Sequence, residues 1–82
     1  MKNVLYFTAA WCGPCRMFKP VLQEVTTQVG VPTQIIDVDQ NPDLVQQYSV
    51  TGVPTTIVFQ DGNQIHRSTG AMSKQQLQNI LG

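Results

Sequence analysis

The feature that most constrains this chain is a change of hydrophobic period near its start. Residues Asn3 to Thr8 form an apolar, β-prone run that reads as a buried strand. From Cys12 to about Val29 the apolar residues instead recur at helical spacing. Met17, Phe18, Val21, Leu22, Val25 and Val29 fall on one predicted face, and Gly30 supplies a left-handed stop. Pro20 lies inside this predicted helix and should kink it, because its ring excludes the bond to the Arg16 carbonyl. A second strand is predicted over Gln34 to Asp39. Strand, helix, strand in this order requires a parallel pair joined by a right-handed crossover.

The second half follows different rules. Asn41 is a candidate N-cap, Pro42 suits the first helical position, and Asp43 suits the positive helix end. A short helix to about Tyr48 should turn Leu44, Val45 and Tyr48 inward. Thr55 to Gln60 is β-branched and aromatic, and reads as a central strand. Asp61-Gly62 turns the chain into a hairpin partner, Gln64 to Thr69. Ser73 and Gln76 form a capping box for a last helix, with Met72 and Leu77 as its hydrophobic staple. The order β-α-β-α-β-β-α predicts an α/β domain over residues 1–82, with a four-stranded mixed sheet flanked by three helices.

Charge and length narrow the function. Five basic and five acidic residues give a formal net charge of zero, with no basic cluster to hold nucleic acid or an anionic membrane surface. The apolar run ending at Phe7 is too short to span a bilayer and has no small-residue cleavage site before the cysteines, so the expectation is a cytosolic protein. The two cysteines, Cys12 and Cys15, are three residues apart and cannot staple distant segments. In a reducing compartment this spacing points to redox chemistry or to metal. Zinc asks for four ligands and only His66 is left over, so redox chemistry is the stronger reading and no metal or cofactor is expected. His66, Asp37 and Asp39 read as solvated residues, the two acids discouraging edge-to-edge pairing of their strand.

Trp11-Cys12-Gly13-Pro14-Cys15 joins the first strand to the first helix. A cysteine there meets unpaired N–H groups and the positive end of the helix dipole, which favour the nucleophilic thiolate. Cys12, at the edge, should be the exposed attacker, and Cys15, one turn deeper, the partner of an internal disulfide. Together with Phe7, Ala9, Pro20, Asp39-Gln40-Asn41-Pro42, Gly52-Val53-Pro54-Thr55, Asp61-Gly62 and Gly70-Ala71, this motif makes the chain resemble the thioredoxin family over nearly its whole length.

The resemblance implies a minimal thioredoxin fold and a protein-disulfide reductase, a monomer recycled by an NADPH-dependent thioredoxin reductase. It implies that Cys12 attacks a target disulfide, that Cys15 resolves the mixed disulfide, and that Pro54 is cis and faces the cysteines. Trp11, Gly13, Pro14, Val53, Pro54, Gly70 and Ala71 would form the docking surface, with the Val53 backbone pairing to an extended target chain. A glutathione-recycled protein and a non-catalytic accessory subunit are the alternatives. Two departures stand out. The family usually has a buried Asp and a nearby Lys where this chain has Tyr6 and Ile35. That Asp is thought to help deprotonate the second cysteine. Resolution is therefore expected to be slow and steep with pH, unless water, the Tyr6 hydroxyl or a carboxylate such as Asp37 takes the proton. The family's first strand and helix also have no counterpart here, which should leave the Gln34 to Asp39 strand at a sheet edge.

Overall fold

A computed structural model describes residues 1–82. The elements are β1 (Lys2–Thr8), α1 (Gly13–Val29), β2 (Thr33–Asp37), α2 (Pro42–Gln47), β3 (Thr55–Gln60), β4 (Asn63–Thr69) and α3 (Lys74–Leu81). The sheet order is β2-β1-β3-β4, with β1 parallel to β2 and both remaining pairs antiparallel. This is the mixed sheet that the change of pattern predicts, and β2 lies at one edge of it.

Side-chain alternation along β1 divides the core in two. Val4 and Tyr6 face one side and join Phe18, Leu22 and Val25 of α1, Val58 of β3, and Leu77 and Leu81 of α3. Leu5 and Phe7 face the other side and join Ile36 and Ile57 beneath α2. Tyr48 seals that second cluster, its ring centroid 6.0 Å from both Phe7 and Phe59. Leu44, Val45 and Tyr48 do turn inward, but each is only half-buried, since one short helix covers this face.

Local signals account for most boundaries. Gly30 ends α1 at φ 69°, and its N–H reaches back to the Thr26 and Thr27 carbonyls. Asp61 and Gly62 both have positive φ, as the tight two-residue hairpin loop between Gln60 and Asn63 requires. The predicted capping box is present: Gln76 N–H donates to Ser73 Oγ at 3.1 Å, and Ser73 N–H donates to Gln76 Oε1 at 2.9 Å. A bulge in β4 leaves Ile65 unpaired and 47% exposed.

Three local expectations are corrected. Met17 is 80% exposed and Val29 37% exposed, so neither belongs to the buried face of α1. Met17 lies just outside the stripe set by Phe18, Leu22 and Val25, and Val29 lies in the last turn, beyond the cover of the sheet. Asn41 stands at the N-cap position of α2 but makes no side-chain capping bond; its Nδ2 donates to the Asp37 carbonyl at 2.9 Å and ties off the end of β2 instead. His66 is half-buried rather than fully solvated, and its Nε2 pairs with the Ser68 hydroxyl on the same face of β4.

The core assignment has a direct test. Leu22→Ala should cost about 2–5 kcal/mol in urea unfolding, while Met17→Ala should stay within about 0.5 kcal/mol of wild type. Equal effects of the two substitutions would contradict the orientation of α1.

Candidate active site

β1 ends at Thr8 and α1 begins at Gly13, so only four residues turn the chain. Cys12 is itself the N-cap of α1, with extended backbone, and its Sγ accepts the Cys15 N–H at 3.2 Å. The sulfur thus takes the place that a Ser or Asp oxygen fills at other helix starts. Pro14 falls in the first turn, where its missing N–H costs nothing. Cys12 and Cys15 form a disulfide, their Cα atoms 5.3 Å apart.

Cys12 does not match the expectation of an exposed thiol. In the disulfide it is only 4% exposed, against 1% for Cys15. Bonded to Cys15, it packs against Ala9, with Val38 and Val53 on the pair. The exposed parts of the motif are Trp11, Gly13 and Pro14, which ring the disulfide.

The loop before β3 faces this pair. The Val53–Pro54 peptide bond is cis. Val53 is half-exposed and touches the cysteine cluster, while Pro54 is buried. The Pro54 carbonyl accepts the Gly70 N–H at 2.7 Å, which draws the end of β4 toward the site. Gly70 has φ 103°, a conformation open to glycine and strained for other residues. Ala71 follows it and is exposed. Neither the N–H nor the C=O of Val53 makes a backbone hydrogen bond, so both remain available on the rim.

Two features were not legible as site residues. Asp39, read as a solvated charge, accepts the Trp11 indole N–H at 2.9 Å and holds that ring beside the disulfide. Asp39 lies beyond β2, and its N–H donates to Asp37 Oδ1, so the turn that ends the strand aims the carboxylate. Beside Trp11 is an apolar hollow of about 200 Å³, lined among others by Val38, Val45, Val50 and Val53. The valines come from three separate segments, and only the fold assembles them.

At the position of the expected buried acid, the Tyr6 hydroxyl donates to the Cys15 carbonyl at 3.3 Å. Burial pushes the Tyr6 phenol up from its ordinary range, opposed by a smaller contribution from the Thr8 side chain. Tyr6 is therefore a neutral hydrogen-bond donor at physiological pH. Ile35, where the family has a cation, is 40% exposed beside it on β2.

Asp39→Ala should free the Trp11 ring. Acrylamide quenching of Trp11, the single tryptophan, should rise. The unfolding midpoint should barely move, because an exposed hydrogen bond contributes about 1 kcal/mol or less. Unchanged quenching would mean that the bond does not hold the ring.

The thioredoxin family profile matches residues 1–82. Thioredoxin 1 of Synechococcus elongatus is 39% identical over 77 residues, a stretch that covers 92% of this chain and 72% of that protein. The thioredoxin of Chlamydia trachomatis is 40% identical over 76 residues, covering 92% of this chain and 74% of its own. Among solved structures, a mutant thioredoxin from Halobacterium salinarum superposes with a TM-score of 0.91 at 36% identity, over 98% of this chain and 71% of that one. No helix is long and apolar enough to cross a membrane. With a cysteine pair joined at a helix N-terminus and relatives of this kind, the chain belongs to the thioredoxin family and is a dithiol–disulfide oxidoreductase that reduces protein disulfides.

Proposed function

We propose that Cys12 is the attacking cysteine and Cys15 the resolving one. The observation that carries this assignment is the N-cap geometry. In the reduced protein a Cys12 thiolate can keep the Cys15 N–H as its donor, and the helix dipole favours the same charge. Cys15 sits within the first turn, behind Cys12 and almost fully enclosed. The Cys12 thiolate attacks one sulfur of a target disulfide, forming a mixed disulfide and expelling the other target sulfur as a thiolate. Cys15, once deprotonated, attacks Cys12 Sγ; the internal disulfide forms and the second target sulfur leaves. The target gains two electrons and the cysteine pair loses two.

The rim then binds the target. Trp11, Gly13, Pro14, Val53, Pro54, Gly70 and Ala71 form the docking surface in this reading. The free Val53 N–H and C=O support pairing with an extended target segment, a one-residue form of strand addition. The apolar hollow beside Trp11 takes a neighbouring target side chain. An NADPH-dependent thioredoxin reductase would return the pair to the dithiol. A cytosolic setting agrees with this, since the chain spends both cysteines on a redox pair and none on structural staples.

Reduction of an insulin-type disulfide, driven by NADPH with a thioredoxin reductase and in parallel by glutathione with its reductase, tests the assignment and the electron source. Turnover is expected with the first system; turnover confined to the second would make the protein glutathione-recycled. Cys12→Ser should abolish turnover, and Cys15→Ser should accumulate a mixed disulfide with the target. In the reduced protein Cys12 should alkylate with iodoacetamide before Cys15, read by peptide mass. The reverse order would exchange the two roles.

A further inference from the structure

The resolving step needs a group to take the Cys15 thiol proton, and the position where the family carries an acid holds Tyr6. Tyr6 is a poor proton acceptor, because burial favours its neutral form and its hydroxyl proton is directed at the Cys15 carbonyl. His66 lies on β4, two strands from β1, and is engaged with Ser68.

A different carboxylate shares a cavity with Cys15. Ile36 points into the cluster beneath α2, so by strand alternation Asp37 points to the α1 side of the sheet. The parallel register sets it beside Thr8, at the end of β1 and next to the turn that carries the motif. On α1, Lys19 follows Cys15 by four residues and lies on the same stripe. Between these elements a solvent-open cavity of about 240 Å³ is lined by Thr8, Cys15, Arg16, Lys19 and Asp37, among others. At roughly 30 Å³ per water, it has room for a short chain of waters. Asp37 and Lys19 are both half-buried.

The polar groups around the cavity are already sorted. Arg16 donates to the Ala10 carbonyl at 2.8 Å and is held at the mouth. Asp37 Oδ1 accepts the Asp39 N–H, and Oδ2 has no hydrogen-bond partner in the protein. Lys19 makes neither an ion pair nor a side-chain hydrogen bond. The charged and titratable groups facing Asp37 are thus Lys19 and Arg16 from α1, Tyr6 one row away on β1, and Asp39 beyond β2.

We propose that Asp37 is the proton acceptor for the resolving thiol, reached through water in this cavity, with Lys19 stabilising the thiolate that develops on Cys15. This rests on the assignment of Cys15 as the resolving cysteine. The Cys15 S–H bond breaks and its proton passes through water to Asp37. The thiolate attacks Cys12 Sγ, the Cys12–target bond breaks as the Cys12–Cys15 bond forms, and the departing target thiolate takes up a proton. The acid and its cation are thereby relocated from the sheet interior to a wet pocket between β2 and α1.

The test is rapid mixing of the reduced protein with a chromogenic aromatic disulfide, which releases one thiolate when Cys12 attacks and a second when Cys15 resolves. Asp37→Asn keeps an oxygen for the Asp39 N–H, so the strand end should remain intact. Near neutral pH it should slow the second phase relative to the first by roughly tenfold or more. Without the internal base, resolution depends on the equilibrium fraction of thiolate. The second phase should therefore rise more steeply with pH in the variant and approach wild type at alkaline pH. Lys19→Met, an independent variant on the helix surface, should slow the same phase to a smaller degree. A second phase within about twofold of wild type from roughly pH 5 to 9 would overturn the proposal. So would slowing by one constant factor at every pH, or the same steepening produced by Tyr6→Phe instead. In Cys15→Ser the first phase should remain and the second vanish; a first phase lost in Cys15→Ser and kept in Cys12→Ser would instead refute the assignment of Cys12 and Cys15 themselves.

Discussion

Burial of β1 on both faces is the constraint on which the rest of the structure depends. Val4 and Tyr6 are needed by the core under α1 and α3, and Leu5 and Phe7 by the core under α2. A strand used on both faces cannot slip in register without moving its whole apolar set out of place. Its end is therefore fixed, and with it the four-residue turn into α1. The chemistry is placed on that turn. Cys12 is held as N-cap because the helix behind it is anchored by Phe18, Leu22 and Val25, and the strand before it by its neighbours on either side. The redox pair thus gains positional precision from a core that contains no redox group.

Much of this was legible in the residues, and the reasons are local. The switch from strand to helical period, the glycine after Val29, the Asp61-Gly62 turn and the Ser73–Gln76 capping box each act over a few residues, so each can be read without knowing the fold. The motif itself was legible for the same reason: a cysteine at a strand-to-helix junction meets the helix amides whatever surrounds it. What could not be read was set by distant partners. Met17 satisfies a helical spacing, but whether a marginal position is covered depends on where the sheet ends. Asn41 had the chemistry of a cap, yet its Nδ2 donates to the Asp37 carbonyl, which also accepts the Gln40 N–H, and its side-chain oxygen makes no capping bond. Asp39 looked solvated until the fold brought Trp11 to it.

The burial of Cys12 in the disulfide bears on how the site works. One N–H, that of Cys15, serves the sulfur of Cys12 in the oxidised state and remains available to a thiolate in the reduced state. The helix start thus already offers the donor that a Cys12 thiolate would use. In the disulfide the sulfur lies among Ala9, Val38 and Val53. The residues Trp11, Gly13 and Pro14 stay exposed around the sulfurs even though the sulfurs themselves are nearly covered.

Tyr6 suits a core of this size better than an unpaired buried acid would. At about 0.05–0.15 kcal/mol per residue, 82 residues hold a net stability of about 4–12 kcal/mol. An unpaired buried carboxylate would take up a few kcal/mol of that, or would become protonated instead. Ile35 supplies no cation to offset it. Tyr6 instead packs its ring 5.9 Å from that of Phe18 and satisfies its hydroxyl on the Cys15 carbonyl, so the same position now stabilises the cluster and pins the first turn of α1. A proton acceptor at Asp37 avoids the burial penalty because its carboxylate stays in contact with water. The compensation is distance: proton transfer must cross solvent rather than a direct hydrogen bond. Stability and catalytic preorganisation are thus drawn from different residues, with Tyr6 serving the core and Asp37 the chemistry.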